Sequence, residues 1–496
     1  MAATVTDILK RDILQNIFDG YENVNVSLGD SDRYYMALGR VEEWDSDAVP
    51  PVPNPSNEEV LRFQETIQSM KLISDVSFVV PRYNWTAGNV YEAYDNVFNS
   101  NLVISPSGDI QNSYYVITDT NNVYICLQQG KTSSGVVRNS LFKPTNTTGE
   151  PFTSGDDGYV WKFLFNVGAQ RARRFLTSSY IPIEKILDSS EGGSSYDDLS
   201  ASRQQQFDIQ QSSVPGQIIG IAVDSGGTGY TSPPTISIQP IGLNADNDSV
   251  TTAQAYANID NNGRVYEVVM KQDSTSPNFS FGGYYYNASI TLSGGGGSGA
   301  KLRPIIAGKE GLGANPIEDL KSSALMFNAQ ITGAEGGDFQ VTNDFRQIGI
   351  IRNPLKDSAQ YPGFVGDSAL TSTTAYAYKR LFVNAGLVAA NITGDNIVTG
   401  GTTGAAAIVD YYDAVNQILY IHQTIDTGFT RFDDSAETVT VSQAGGSATI
   451  ATVPGKPVVR PAEVYNFSGE VVYIDNRSPI SRDDEQTEDI KIVIDL

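Results

Sequence analysis

His422 is the only histidine and Cys126 the only cysteine in 496 residues. The chain therefore has one imidazole and one thiol for chemistry near neutral pH. A Ser-His-Asp site would have to use His422 as its base. That residue stands in the alternating run LYIHQT, where a structural or exposed side chain is expected, and no GxSxG elbow accompanies it. Cys126 stands in YICL, which also alternates like a strand, so a buried thiol is expected. A single cysteine excludes an internal disulfide, and a single histidine excludes a histidine-rich metal site.

Carboxylates are abundant, 57 in all, and some are adjacent: Asp156/Asp157, Asp197/Asp198, Asp433/Asp434 and Asp483/Asp484. Glycoside hydrolysis needs two of them roughly 5–10 Å apart across a cleft, with separated pKa values. Adjacency along the chain does not supply that, and such pairs are expected on solvated surface. Asp119–Asn122 and Asn244–Asp248 are rich in oxygen ligands but complete no calcium loop. The run Gly226-Gly227-Thr228-Gly229 lacks the Lys-Ser/Thr of a phosphate loop and does not open a helix. Gly294–Gly297 is too loose for a dinucleotide fingerprint. Turns with positive φ between short strands account for both. Arg171, Arg173 and Arg174 are expected to dock on acidic protein surface. No catalytic, cofactor-binding or metal-binding residues are expected, and no enzyme.

The elements around these residues read as strands. Gln111–Gln128 alternates on either side of Asp119-Thr120-Asn121-Asn122, the pattern of a hairpin. Gly158 leads into a strand with Trp161 in the core. Further strands are expected at Tyr34–Leu38, Leu72–Val80, Phe339–Ile351 and 375–383. Asn396–Val398, Ala405–Tyr411 and Gln417–His422 form a second rhythm that suits a barrel or compact sheet. Helices are expected at residues 1–20, at Asn57–Met70 with Asn57 as cap, and as a short turn at Pro316–Ser323. Gly216–Ile238 is loosely echoed by Gly263–Leu292, a degenerate two-fold repeat. Glu488–Leu496 has one apolar face, Ile490, Ile492 and Ile494, and must join a sheet. Its expected partner is Phe339–Pro354.

Fold class follows: mainly β, a multidomain β scaffold with inserted small β modules and a short N-terminal helix. The divisions expected are 1–185 as N-terminal scaffold, 186–214 as linker, and 215–308 as an inserted glycine-rich β module. Then come 309–385 as second scaffold part, 386–455 as an inserted β module, and 456–496 as strands returning to the scaffold. A formal charge of -24 argues against nucleic-acid backbone and against anionic membrane surface as partners. No run is long and apolar enough to span a bilayer, and no signal segment is seen. Synthesis in the cytoplasm is expected.

Several segments, in order, carry a resemblance. They are Leu38-Gly39-Arg40, Glu43-Trp44 with Pro50–Pro53, Val80–Trp85, Gly155–Phe165, Phe345–Leu355, and Phe467–Arg477 with Pro479-Ile480 and Asp484–Glu488. Together they resemble the gene product 8 family of baseplate wedge proteins from T-even-type contractile-tailed bacteriophages, over roughly residues 20–185, 337–356 and 464–496. The resemblance implies a mainly β, non-enzymatic virion protein of the tail baseplate. It implies a homodimer that joins other baseplate wedge proteins. Residues 215–308 and 386–455 depart from the family pattern and resemble glycine-rich modules of other tail proteins. A glycan- or receptor-binding tail protein is the alternative, and a polysaccharide hydrolase a third reading.

Overall fold

The computed structural model describes residues 6–22, 32–97, 103–104, 110–187, 195–242, 250–272, 279–357, 365–394, 396–432, 437–451, 459–460 and 462–496. The protein is mainly β with a few short helices. It divides into two compact units: residues 1–11, 77–326 and 494–496, and residues 12–76 and 327–493.

The second unit contains a five-stranded sheet. Its strands, in spatial order, are Thr374–Tyr376, Ile67–Leu72, Tyr34–Gly39, Phe345–Arg352 and Glu470–Ile480. The sequence reading assigned Phe345–Arg352 to the last strand of the chain. It pairs instead with the strand before it, Ile350 facing Tyr473 and Ile348 facing Asp475. Thr487–Asp495 lies beside Ala324–Thr332, a strand not anticipated. Both C-terminal strands alternate, so periodicity alone could not choose between them. Tyr35, Ala37, Phe63, Met70, Ile351 and Ala375 form the core on this sheet. The helix expected over Asn57–Met70 stops at Glu65, and Ser56, not Asn57, caps it by accepting from Glu59 N. Ile67–Met70 is buried at every position as a strand, which overrides its helical propensity.

The 386–455 stretch belongs to a closed barrel in the same unit. Its strands are Lys379–Phe382, Ile397–Gly400, Ala406–Asp413, Ile418–His422, Thr438–Val441 and Gly446–Thr449, with Val459–Arg460 beside the first. Closure comes from the continuation of the first strand. Asn384 N donates to Thr449 O and Val388 N to Gly445 O, each at 2.8 Å. A closed circuit leaves no free edge there. Leu381, Val398, Val409, Leu419, Ile421, Val439 and Ile450 fill the interior. The expected strand over 375–383 is split between the two sheets, with Tyr376 on one and Leu381 on the other.

In the first unit, the expected hairpin forms from Tyr115–Ile117 and Asn122–Gln128, turning at Asn121 with φ 60. The strand Val160–Asn166 joins it. Trp161, Tyr124, Tyr159, Phe163 and Cys126 are buried together. Residues 186–214 are not merely a linker. They include the helix Ala201–Ser212, whose Ile209 enters that core. Its Gln206 donates to Glu184 O and its Gln210 to Ile186 O. Glutamines pointing inward gave this helix a polar look in the sequence. The short helix expected over Pro316–Ser323 closes after Asp319.

The glycine-rich module, also in the first unit, is two interlocked copies of one three-strand unit. Copy one has Ile218–Thr228, Thr235–Ile241 and Ala255–Ile259; copy two has Val265–Met270, Asn287–Ser293 and Ser298–Ile306. The first strand of each copy pairs with the last of the other, and the middle strands pair together. Val223 faces Leu302 and Met270 faces Ala255: Met270 follows Val223 by 47 positions, as Leu302 follows Ala255. The register shift between Ile218 and Gly220 has its counterpart between Asn258 and Ile259, at the matching place. Gly216 (φ 61) opens one copy and Gly263 (φ 67) the other. Tyr285 N donates to Gly216 O at 3.1 Å, and Tyr230 N to Gly263 O at 3.0 Å. Each copy thus sets a tyrosine, just before its middle strand, on the glycine that opens its twin.

Candidate functional site: the buried His422 cluster

His422 ends the strand Ile418–His422, one place beyond the inward-facing Ile421. Alternation puts it on the outer face of the barrel, yet it is only 4% exposed. The neighbouring strand explains part of this. Val409 faces Ile421 and Tyr411 faces Tyr420, so Asp410 is the extra residue of a β-bulge. A bulge re-aims side chains, and here it brings Asp410 Oδ1 to 2.8 Å from His422 Nδ1.

The other side is covered by the loop after Tyr34–Gly39. Arg346 holds that loop, bonding Asp47 through Nε and Nη2 and donating to Val41 O at 2.6 Å. Trp44 Nε1 donates to Arg477 O at 3.0 Å. So pinned, the loop sets Glu42 Oε1 2.8 Å from His422 Nε2, an ionic contact off the line of a good hydrogen bond. An imidazole is therefore held between two carboxylates, one from the barrel and one from the loop leaving the five-stranded sheet.

Burial pushes the imidazole toward neutrality, but the charges of Asp410 and Glu42 outweigh it and hold His422 well above its ordinary range. Burial also opposes charge on Glu42, where the His422 charge wins and lowers the carboxyl to about 2. On Asp410 burial dominates and raises it. A protonated His422 flanked by Glu42 and Asp410 follows. As a catalytic dyad the geometry fails at one point. The nitrogen that would activate a serine or water faces a carboxylate, which has no proton to give at neutral pH.

Beside the cluster lies a cavity of about 450 Å³, walled by Arg40, Glu42, Arg62, Glu65, Thr424 and Asp426 among others. Its charges are largely spoken for. Arg62 pairs with Asp426, and Glu65 Oε1 accepts from Ile425 N at 2.8 Å. Two cavities of about 260 and 350 Å³ lie in the first unit. The larger contains Asp319, whose carboxyl burial raises to about 7 and which accepts from Gly313 N at 2.7 Å. Among the described residues no group of three histidine, cysteine or acidic side chains could hold a metal ion. No described helix is long and apolar enough to cross a membrane.

The residues singled out in the sequence stay apart. Cys126 is fully buried, and burial raises its thiol pKa far up. Asp157 is buried, not solvated: it accepts from the amides of Leu141, Phe142 and Tyr159 and orders the loop before the Trp161 strand. Asp119 pairs with Lys143. Arg171 bonds Glu184 at 3.0 Å, acidic surface of its own chain. Asp433/Asp434 and Asn244–Asp248 lie outside the described residues. Sequence reasoning missed Glu42 and Asp410. Asp410 was visible as a charge interrupting the apolar run AAAIVDYY, but nothing linked either to His422. No family model matches the chain, and no curated protein matches it.

Proposed function

We propose that this chain is a structural subunit of a phage tail baseplate wedge, resident in the virion, acting through protein–protein interfaces and not through chemistry. One observation carries the reading. The resembling segments at Leu38–Arg40, Phe345–Leu355 and Phe467–Arg477 are far apart along the chain, yet they fall on three adjacent strands of one sheet. That part of the ordered likeness which falls in the second unit is gathered on one sheet, which supports a shared scaffold; Val80–Trp85 and Gly155–Phe165 lie in the first unit. The 386–455 departure supplies five strands of the barrel, which Lys379–Phe382 and Val459–Arg460 from outside it complete, and the 215–308 departure makes up the duplicated module. Such a subunit is a homodimer that binds other wedge proteins through large interfaces, on the order of 2,000–5,000 Å² where obligate. Light scattering at micromolar concentration tests the dimer; a stable monomer counts against it.

Exposed aromatics on the duplicated module favour a second reading, glycan or receptor binding. Tyr286 is 71% and Tyr256 50% exposed. Glycan-array binding that disappears on deletion of 215–308 would favour it.

A further inference from the structure

The barrel and the five-stranded sheet of the second unit have separate cores. What joins them is a small set of polar contacts and a few aromatic ones, among them Phe429 edge-on to Phe467. Glu42 meets His422, Glu65 accepts from Ile425 N, and Arg62 meets Asp426. A cavity lies among these contacts. The chain crosses from sheet to barrel between Tyr376 and Lys379, where Tyr376 stacks on Tyr378 and Tyr378 meets Tyr420 edge-on. A closed, apolar barrel beside a sheet, joined by a few ions, hydrogen bonds and ring edges beside a cavity, can part from it without either core opening.

We propose that His422 is a latch: its charged ring ties Asp410 of the barrel to Glu42 of the sheet's loop, and loss of that charge frees the barrel to turn as an intact body about the Tyr376–Lys379 crossing. The inference concerns motion within the chain and stands whether or not the chain belongs to a tail. The charged groups that face the ring are Asp410 on its neighbouring strand and Glu42 on the covering loop. Glu65 at the end of the capped helix lies within its electrostatic reach. Arg40 acts on Glu42, and Arg62 on Glu65. With the ring neutral, Glu42 and Asp410 remain as two buried carboxylates with no counter-charge between them. Their repulsion favours parting.

The sign is fixed by the geometry. The histidine gains Glu42 on closing while Asp410 stays beside it in both states, so the latch holds while the ring is charged and weakens as pH rises through its elevated value.

The test uses the full chain with spin labels at Val415→Cys on the barrel and Val472→Cys on the sheet, both exposed. Cys126 is buried and stays unlabelled. At pH 7 one narrow distance distribution is expected. Glu42→Gln removes the sheet's half of the latch and leaves the barrel's Asp410–His422 pair whole, so the barrel stays folded. It should broaden the distribution, as should raised pH and His422→Gln. Amide exchange supplies the second readout. Ile425 N should exchange at least about tenfold faster, the effect of one pKa unit of lost interaction, while Val409 and Ile421 keep their protection. An unchanged distribution in Glu42→Gln and at high pH would overturn the latch. Loss of protection at Val409 and Ile421 together with Ile425 would also overturn it, by showing that the ions hold the barrel itself together.

Discussion

The duplicated module and the barrel hold themselves together alike and meet their surroundings differently. The duplicated module and the barrel each close their strands on themselves, one by reciprocal pairing of two copies, the other by a circuit of hydrogen bonds. The duplicated module meets the rest of its unit through Arg303, which forks onto Asp95 at 2.7 and 3.0 Å, and through Ile306 N to Asn96. That ion pair is only partly buried. The barrel meets its neighbour through the enclosed contact of His422 with Glu42 and through the exposed Arg62–Asp426 pair. The repeat shows what docking did to one copy. Arg303 of copy two stands where copy one has the half-exposed Tyr256, 47 positions earlier. The pairing is symmetric at its centre, and this contact position is one of the places where the copies differ. Self-closing strands make each region stable within itself, and the contact chemistry decides how firmly it is held to the rest of its unit.

The comparison breaks most visibly at the barrel. His422→Ala leaves Glu42 and Asp410 buried without a counter-charge and should cost about 3–5 kcal/mol, read as a lower denaturant midpoint for the second unit. Without mutation, pH probes the same contact. The His422 contribution fades as pH rises through the raised imidazole value. The Glu42 contribution is intact above about pH 4.5 and fades as pH falls through about 2. Asp410, raised by burial, works the other way and favours the contact when protonated. A stability–pH curve for the second unit should therefore peak on the mildly acid to neutral side. A curve with its maximum above pH 9 would contradict the charge assignment.

The duplicated module is next. Gly216→Ala and Gly263→Ala each force a Cβ to 2.4 Å from Tyr285 O or 2.6 Å from Tyr230 O, at positive φ. Each should cost about 1–3 kcal/mol, and the two costs should match within error if the copies are equivalent. Calorimetry of the two variants gives the ratio. Arg303→Ala removes charge-assisted bonds and should cost about 1–3 kcal/mol, seen as faster proteolysis of the module. Asp426 is well exposed, so Asp426→Ala should shift stability by no more than about 1 kcal/mol. A larger loss there would mean that the barrel's exposed ion pair matters as much as its buried one.

Much of the fold could be read from residues, and the reasons for the gaps are physical. Local alternation placed the hairpin around Asn121, the Trp161 strand and the barrel strands, because neighbouring residues decide those. Gly216 and Gly263, both forced to positive φ, marked the starts of the two copies. The partner of Phe345–Arg352 was misassigned because two C-terminal strands share the same period, and only the turn between them tells which lies inside. The helix Ala201–Ser212 was hidden by glutamines that satisfy buried carbonyls. The His422 cluster was half legible. An imidazole and a carboxylate each interrupted an apolar strand run, but the bulge that brings them together and the loop that adds Glu42 depend on tertiary packing.

The most direct test of the structural reading is to ask where the chain goes. Purified tails, imaged at side-chain resolution and checked by mass spectrometry, should contain it in the baseplate, with the five-stranded sheet packed among neighbouring subunits. Virions in which the chain is absent, although it is made during infection, would contradict the account.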